Sequence, residues 1–244
     1  MKCIILAAGY ATRLYPLTEN FPKPLLKVGN KPILDWLIED IGDSVDEFIV
    51  VTNHKFSGIF EEWMTGRPEK IRIIDDGTES NETRLGAVRD IQVAVACIRD
   101  DCDYLVMAGD NMLDFSLRSF IEYATSVGTS CVMAHEEHRL AALQKTAVIT
   151  TTEDGRITSY EEKPKEPKSN LAVPPFYIYR SQDIGRIQEA IDSGCNADAP
   201  GSFAAWLSKH TDMHAWLMEG HRYDIGDIAS YEEVKKIWKD KGND

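Results

Sequence analysis

KCIILAAGYATRLYPLTENFPKPLL, Lys2–Leu26, opens on an apolar run and then loses all periodicity. Lys2–Ala7 reads as a short buried strand. Past Gly9 neither helical nor strand spacing recurs, and Pro16, Pro22 and Pro24 forbid a regular helix. The stretch reads as a long ordered loop, because Leu14, Leu17, Phe21, Leu25 and Leu26 supply apolar anchors that disorder would not need. A glycine turn at a strand's end exposes backbone N–H groups suited to phosphate oxygens. Thr12-Arg13 in that turn and Lys23 between two prolines add a guanidinium and an ammonium, the cations that a triphosphate undergoing phosphoryl transfer requires.

The rest of the chain alternates strands with helices. Ile33, Leu34, Leu37, Ile38 and Ile41 recur at helical spacing within Lys31–Ile41, with Pro32 in the first turn. Phe48–Thr52 and Ile71–Ile74 read as strands, with a helix over Phe56–Met64 between them. Arg84–Ile98 reads as a helix and Tyr104–Ala108 as a central strand that ends in Gly109-Asp110-Asn111. This order predicts an α/β fold, Rossmann-like, with a mixed and mainly parallel central sheet flanked by helices and ligands at the strands' carboxyl ends. Helices follow over Leu117–Val127, Asp183–Ser193 and Ser230–Lys239, and strands over Ser130–His135, Ala147–Thr152, Arg156–Tyr160 and Phe176–Tyr179. With no repeat or linker, residues 1–244 read as a single domain, in which 1–115 form a nucleotide-binding half and 116–244 an acceptor-binding half.

Composition narrows the function. A formal net charge of −13 disfavours nucleic acid and anionic membranes as partners. No stretch approaches the roughly 18 apolar residues of a membrane span, and MKCIILAAGY lacks a signal sequence's apolar length, so a cytoplasmic location is expected. The five cysteines are odd in number, widely spaced and without a C-x-x-C pair, which argues against disulfide frameworks and zinc ribbons. G-x-G-x-x-G and the P-loop are both absent. His135-Glu-Glu-His138 is not a zinc motif, and His210 and His214 lack an evident third ligand. Trp206 and Trp216 read as packing residues, and Asp75-Asp76 as a strand-end turn.

The segment LAAGYATRLYPLTENFPKPLLKVGNKPI resembles the N-terminal fingerprint of the sugar-1-phosphate nucleotidylyltransferases, L-A-G-G-x-G-T-R-L-x-P-L-T followed by P-K-P-L. Two departures are Ala8 and Ala11, where glycine is commoner. The resemblance implies a GT-A-like nucleotidyltransferase fold. It also implies that Leu6, Ala7, Ala8, Gly9, Ala11, Thr12, Arg13 and Lys23 bind the nucleotide, with Arg13 and Lys23 catalytic. Gly109-Asp110-Asn111 stands where the family places an aspartate holding Mg²⁺, and Arg222-Tyr-Asp-Ile-Gly226 resembles its W/Y-x-D-x-G segment. Asp110 and Asp224 are thus the implied metal ligands, while Asp227 reads as the cap of the closing helix. Glu161-Glu-Lys-Pro164 matches the E-K-P motif, implying Glu162 and Lys163, with Asn111, for the acceptor. Asn81–Ala87 resembles the segment packed against the base. Gly86 would allow close approach there, and Asn81, Thr83 and Arg84 either read base or ribose or serve as turn and cap residues.

The implied reaction is Mg²⁺-dependent transfer of a nucleotidyl group from an NTP, by resemblance a pyrimidine one (CTP, UTP or dTTP). The acceptor is a sugar phosphate or related phosphorylated small molecule, and pyrophosphate is released. The product would be an activated precursor for surface polysaccharide or glycan synthesis, and a homo-oligomer is plausible for the family. Lys145-Thr-Ala-Val148 and Val173-Pro-Pro-Phe-Tyr177 depart from the family's Y-G-x-V and G-x-Y strands, so an acceptor pocket of different shape is expected. A cytidylyltransferase acting on a non-sugar phosphate or phosphonate, and a non-catalytic nucleotide-sensing homologue, are the alternatives. Loss of the arginine, lysine or metal aspartate would favour the second; all are kept.

Overall fold

The computed structural model describes residues 1–239. Its first half runs β1 (Lys2–Leu6), β2 (Lys27–Val28), β3 (Lys31–Pro32), α1 (Ile33–Ile41), β4 (Phe48–Thr52), α2 (His54–Met64), β5 (Ile71–Asp75), α3 (Ala87–Ile98) and β6 (Tyr104–Ala108). It continues through β7 (Asn111–Leu113), α4 (Arg118–Val127), β8 (Ser130–Glu136), α5 (Leu140–Leu143), β9 (Ala147–Thr151), β10 (Ile157–Glu162), β11 (Leu171–Val173) and β12 (Phe176–Tyr179). The remainder comprises α6 (Ser181–Ile184), α7 (Ile187–Asp192), α8 (Gly201–Leu207), β13 (Met213–Leu217), β14 (Arg222–Asp224) and α9 (Ile228–Ile237).

Ten strands form one sheet in the order β10-β9-β11-β8-β12-β6-β1-β4-β5, with β13 on the free side of β8. The β6–β1–β4–β5 portion is parallel, as is β13 with β8, whereas β12 runs antiparallel to both its neighbours. The expected mixed, mainly parallel sheet is therefore present. Both faces of its centre are covered, which is why these strands read as unbroken apolar runs. Ile4, Ile49, Val51 and Val106 face one way and pack with Val88, Ile91 and Ala94 of α3 and with Phe203 of α8. Cys3, Ile5, Val50, Leu105 and Met107 face the other way, against Leu34, Leu37 and Ile38 of α1, Phe56 and Phe60 of α2, and Phe120 of α4.

A third cluster bears directly on the site. Leu14, Leu26, Val28, Ile33, Met112, Ile225, Tyr231, Val234 and Trp238 pack together, tying the proline-rich loop to the β7–β14 ribbon and to α9. Burying one such side chain contributes about 1.5–3 kcal/mol. Leu14, Met112 and Ile225 are sequence neighbours of Arg13, Asn111 and Asp224, so the apolar anchors set where those polar groups stand.

Several boundaries differ from the expectation. α3 starts at Ala87 because Gly86, at φ +90°, cannot be helical. The helix expected over Asp183–Ser193 is two short ones, broken at Gly185-Arg186, where a glycine disfavours helix continuation. Leu17 and Phe21 do not anchor the loop: they are 40% and 38% exposed, while Leu14, Leu25 and Leu26 are buried. Asp227 caps α9 through a reciprocal pair with Ser230, so that helix begins at Ile228, two residues earlier than expected. No helix among the described residues is long and apolar enough to cross a membrane.

Candidate active site

The carboxyl ends of β1 and β6 are stitched together by the Gly109 N–H donating to Leu6 O at 3.1 Å. The loop after β1 is held from beside it: buried Asn53, at the end of β4, donates from Nδ2 to Ala8 O at 2.9 Å while its Oδ1 caps α2. Ala11 adopts φ +46°, ψ +43°, a left-handed conformation that glycine takes more readily. This is the physical reason a glycine is commoner at that position. Thr18 Oγ1 donates to Ala11 O at 2.8 Å and closes the turn, and Thr12–Leu14 then form one turn of 3₁₀ helix that carries Arg13.

Lys23 begins a second 3₁₀ turn, with prolines on either side. Pro24 packs against Gly109, where a Cβ would stand 3.4 Å from Pro24 Cγ and 3.0 Å from Ile5 Cγ2. The absent side chain at Gly109 thus lets the proline loop close down on β6 and brings Lys23 beside Asp110. Lys23 Nζ donates to Asp110 Oδ2 at 2.7 Å; the lysine is buried, and the aspartate side chain is 34% exposed.

One pocket of roughly 150 Å³ gathers much of the predicted set: Leu6, Ala7, Gly9, Ala11, Arg13, Lys23 and Asp110, with Leu14, Pro24 and Gly226. A Cβ on Gly9 would meet no atom within 4 Å, so the pocket wall is bare backbone there. At Gly226 a Cβ would stand 3.7 Å from Asp224 Oδ2 and 3.8 Å from both Arg13 Nη atoms. Asp224 therefore approaches the pocket from the β14 side, lying opposite Asn111 in the β7–β14 ladder, one residue from Asp110. A larger cavity of about 450 Å³ lies at the amino-terminal ends of β4 and β5, where Glu39, Asp43, Asp46, Glu47 and Glu69 outnumber the one lining cation, Lys70. Its carboxylates repel phosphate, and parallel sheets bind ligands at the other end, so the smaller pocket is the candidate site.

Asn111 is fully buried and its amide is committed on both sides: Nδ2 donates to Asp110 Oδ1 at 2.8 Å, and Oδ1 accepts from Arg222 Nη1 at 2.6 Å. Among the described residues no group of three or more His, Cys, Asp or Glu side chains could form a protein-only metal cage. Asp110 and Asp224 nonetheless could hold Mg²⁺, a hard cation that binds through one or two carboxylates plus substrate phosphates and keeps several waters.

The other predicted residues do not line this pocket. Glu162 ends β10, opposite Ala147 of β9, and Lys163 follows it. Lys163 is exposed at φ +49° and its N–H donates to Thr146 O. Glu162 Oε2 is buried without a partner, and burial raises its pKa against the pull of Lys163. A Cβ on Gly201 would sit 2.5 Å from that oxygen, 3.0 Å from Tyr160 Oη and 3.3 Å from Tyr177 Oη, so the glycine leaves room for a polar cluster. The close approach that Gly86 permits is to backbone: a Cβ there would stand 2.6 Å from Ala197 O, which accepts the Val88 N–H. Thr83 closes a turn with Ser80, Asn81 O accepts from Arg84, and Arg84 pairs with Asp198.

Trp216 packs on Phe115 and Phe120, and Trp206 stacks on His210, in agreement with a packing role. Sequence reasoning missed Asn53, Gly201 and Arg222. Only Asn53 carried a local signal, as an Asn between an apolar strand and a helix.

A family model described as nucleotidyl transferase matches residues 2–241. The chain belongs to the nucleotidyl transferase family. It is 28% identical over its whole length to the bifunctional protein GlmU of Methanocaldococcus jannaschii, of which it covers 55%. It is 29% identical to the UTP–glucose-1-phosphate uridylyltransferase AglF of Haloferax volcanii, over 97% of this chain and 96% of that one. The chain spans about half the length of the first curated relatives it matches, GlmU proteins and the glycan biosynthesis nucleotidyltransferase Agl11. A UDP-glucose pyrophosphorylase solved with UDP-glucose shares its fold, at a TM-score of 0.84 and 22% identity over 98% of both chains.

Proposed function

We propose that this chain transfers a nucleotidyl group from a pyrimidine nucleoside triphosphate to a sugar 1-phosphate, with Mg²⁺ as cofactor and pyrophosphate as the second product. The observation that carries this reading is the Lys23–Asp110 pair, set in one pocket with the bare backbone at Gly9 and with Arg13. Similarity to AglF along nearly the full length of both chains supports the nucleotide and acceptor classes.

In this reading the N–H groups of the Gly9–Ala11 turn and the Lys23 ammonium hold the triphosphate, and Arg13 meets charge building on the departing pyrophosphate. Asp110 and Asp224 would hold Mg²⁺, which neutralises phosphate charge when bound. Lys163 holds the acceptor's phosphate and Glu162 accepts from its hydroxyls. An acceptor phosphate oxygen forms a bond to the α-phosphorus while the α–β bridging P–O bond breaks, and its electron pair leaves on pyrophosphate. A phosphate monoester is largely ionised near neutral pH, so no side chain need remove a proton. Positioning and charge supply the rate.

The test is pyrophosphate release from UTP, dTTP, CTP, ATP and GTP, each paired with glucose 1-phosphate, N-acetylglucosamine 1-phosphate or phosphocholine. Turnover with a pyrimidine triphosphate and a sugar phosphate, abolished in Asp110→Asn, supports the reading. Turnover with phosphocholine alone would replace the acceptor class. No turnover with any pair, alongside tight NTP binding, would leave a nucleotide sensor.

A further inference from the structure

The segment Arg222-Tyr-Asp-Ile-Gly226 has an arginine where the W/Y-x-D-x-G pattern has an aromatic ring. Its side chain is only 20% exposed and shares a face of β14 with Asp224, since strand residues alternate. Nη1 donates to Asn111 Oδ1 at 2.6 Å and lies 3.9 Å from Asp224 Oδ1. Asn111 then donates to Asp110 Oδ1, and Lys23 donates to Asp110 Oδ2. One unbroken path therefore runs Arg222, Asn111, Asp110, Lys23, and joins positions 111 and 87 residues apart at its two long-range links.

The chemistry of the path allows one arrangement. An amide side chain has a donor end and an acceptor end of nearly equal shape, so only its partners decide which way it faces. A guanidinium only donates and a carboxylate only accepts. With Arg222 on one side and Asp110 on the other, the Asn111 carbonyl must face Arg222 and its NH₂ must face Asp110. Asn111 is fully buried, away from bulk solvent. Without Arg222 the buried carbonyl would lose its donor and nothing would fix which way the amide faces, so Asp110 would lose a fixed donor. The same guanidinium stands 3.9 Å from Asp224 Oδ1, so one group is linked to Asp110 by hydrogen bonds through Asn111 and to Asp224 by an ion pair.

We propose that Arg222 is the positioning residue that fixes Asp110 and Asp224 relative to each other, using the buried Asn111 amide as a rigid relay. The proposal rests on the reading of those two carboxylates as divalent-cation ligands. Its effect is on cation affinity at that pair, ahead of any chemical step.

The experiment titrates MnCl₂ into the full chain with inorganic pyrophosphate, a probe that does not depend on base choice, and reads free Mn²⁺ by electron paramagnetic resonance. Thermal unfolding midpoints are recorded for every variant. Asp110→Asn should lose tight Mn²⁺ binding. Arg222→Met should weaken it about 10- to 100-fold, the usual effect of removing a hydrogen-bonded support behind a metal ligand. Asn111→Ala should weaken it to a similar degree, and the Asn111→Ala/Arg222→Met double variant should be no worse than the weaker-binding single. That non-additivity is the signature of a shared path. Should Arg222→Met not fold, the loss in Asn111→Ala, which keeps Arg222, carries the test. Wild-type affinity in Arg222→Met or Asn111→Ala, with Asp110→Asn impaired, would overturn the positioning role and leave the ligand reading intact. Wild-type affinity in Asp110→Asn would overturn both.

Discussion

Replacing Lys23 by methionine separates two consequences that the structure ties to one atom. The ammonium is buried and its hydrogen bond to Asp110 spans 2.7 Å. Breaking a fully buried ion pair costs about 3–5 kcal/mol, whereas exposed pairs contribute at most about 1 kcal/mol. Asp110 is 34% exposed, so water regains part of the stranded carboxylate, and a cost of about 2 kcal/mol follows from these limits. For a chain of this size that lowers the thermal midpoint by about 4–8 °C. Methionine fills the lysine stem's volume, so little of the loss comes from a cavity. Turnover should fall far more, by about 10²–10³-fold, the usual consequence of deleting one fixed donor at a developing charge. Adding Asp110→Asn removes the stranded charge: the double variant should regain most of the midpoint while turnover stays at or below that of the single. Thermal denaturation and a pyrophosphate-release assay read the two quantities independently. A single variant within about fivefold of normal turnover, or a double variant no more stable than the single, would refute the reasoning.

Further outcomes follow from two groups near the same end of the sheet. Asp90, buried in the first turn of α3, has its pKa pushed up to about 7 by burial and by nearby Asp76. A carboxyl whose folded pKa lies above its unfolded value contributes stability below about pH 4 and loses it as pH rises to about 7. Asp90→Asn should therefore be more stable than the parent at pH 8, by up to about 4 kcal/mol, and gain little at pH 4; equal denaturation midpoints at pH 8 would contradict the burial argument. At Ala11, glycine relieves about 1 kcal/mol of left-handed strain and loosens the unfolded chain by a similar amount, so Ala11→Gly should stay within about 0.5 kcal/mol of the parent in urea denaturation. Ala11→Val, with a branched side chain at φ +46°, should lose about 2 kcal/mol or more.

The parts of the fold that were legible were those governed by local rules. β4, β6 and β12 match the expected strands residue for residue, since each is a short apolar run bounded by polar, glycine or proline residues. The cap at Asp227 was also readable, because an N-cap is a property of four consecutive residues. Misreadings occurred where distant segments decide the outcome. Leu17 and Phe21 look like anchors in sequence, but the loop had enough apolar contacts from Leu14, Leu25 and Leu26, and the other two face solvent. At Gly86 the sequence shows that a close approach is allowed but not to what: the structure adds the backbone of Ala197, more than a hundred residues away. Asn111 and Arg222 meet only because β7 and β14 pair. The cation-bearing loop was recognisable because its chemistry lies within a single segment, whereas the Asp110 network draws on three.

Pro174-Pro175 shows how one sequence departure acts at two levels. β11 and β12 lie along the same side of β8, Ala172 opposite His135 and Tyr177 opposite Val132, so they are two halves of one interrupted path. Neither proline can donate to a ladder, and the interruption changes the strand's other neighbour. Before it the segment pairs with β9, which leads through β10 to Glu162 and Lys163; after it the segment pairs with β6, which leads to Asp110. Pro175 O still accepts from the Ala108 N–H at 3.1 Å, two residues before Asp110. The double proline is thus the joint at which the acceptor-side hairpin is hung on the strand that carries the central carboxylate. A substitution there would shift Lys163 relative to Asp110 without touching either side chain; under the proposed roles of those two residues, the spacing between acceptor and triphosphate would depend on the backbone at 174–175 as well as on the side chains.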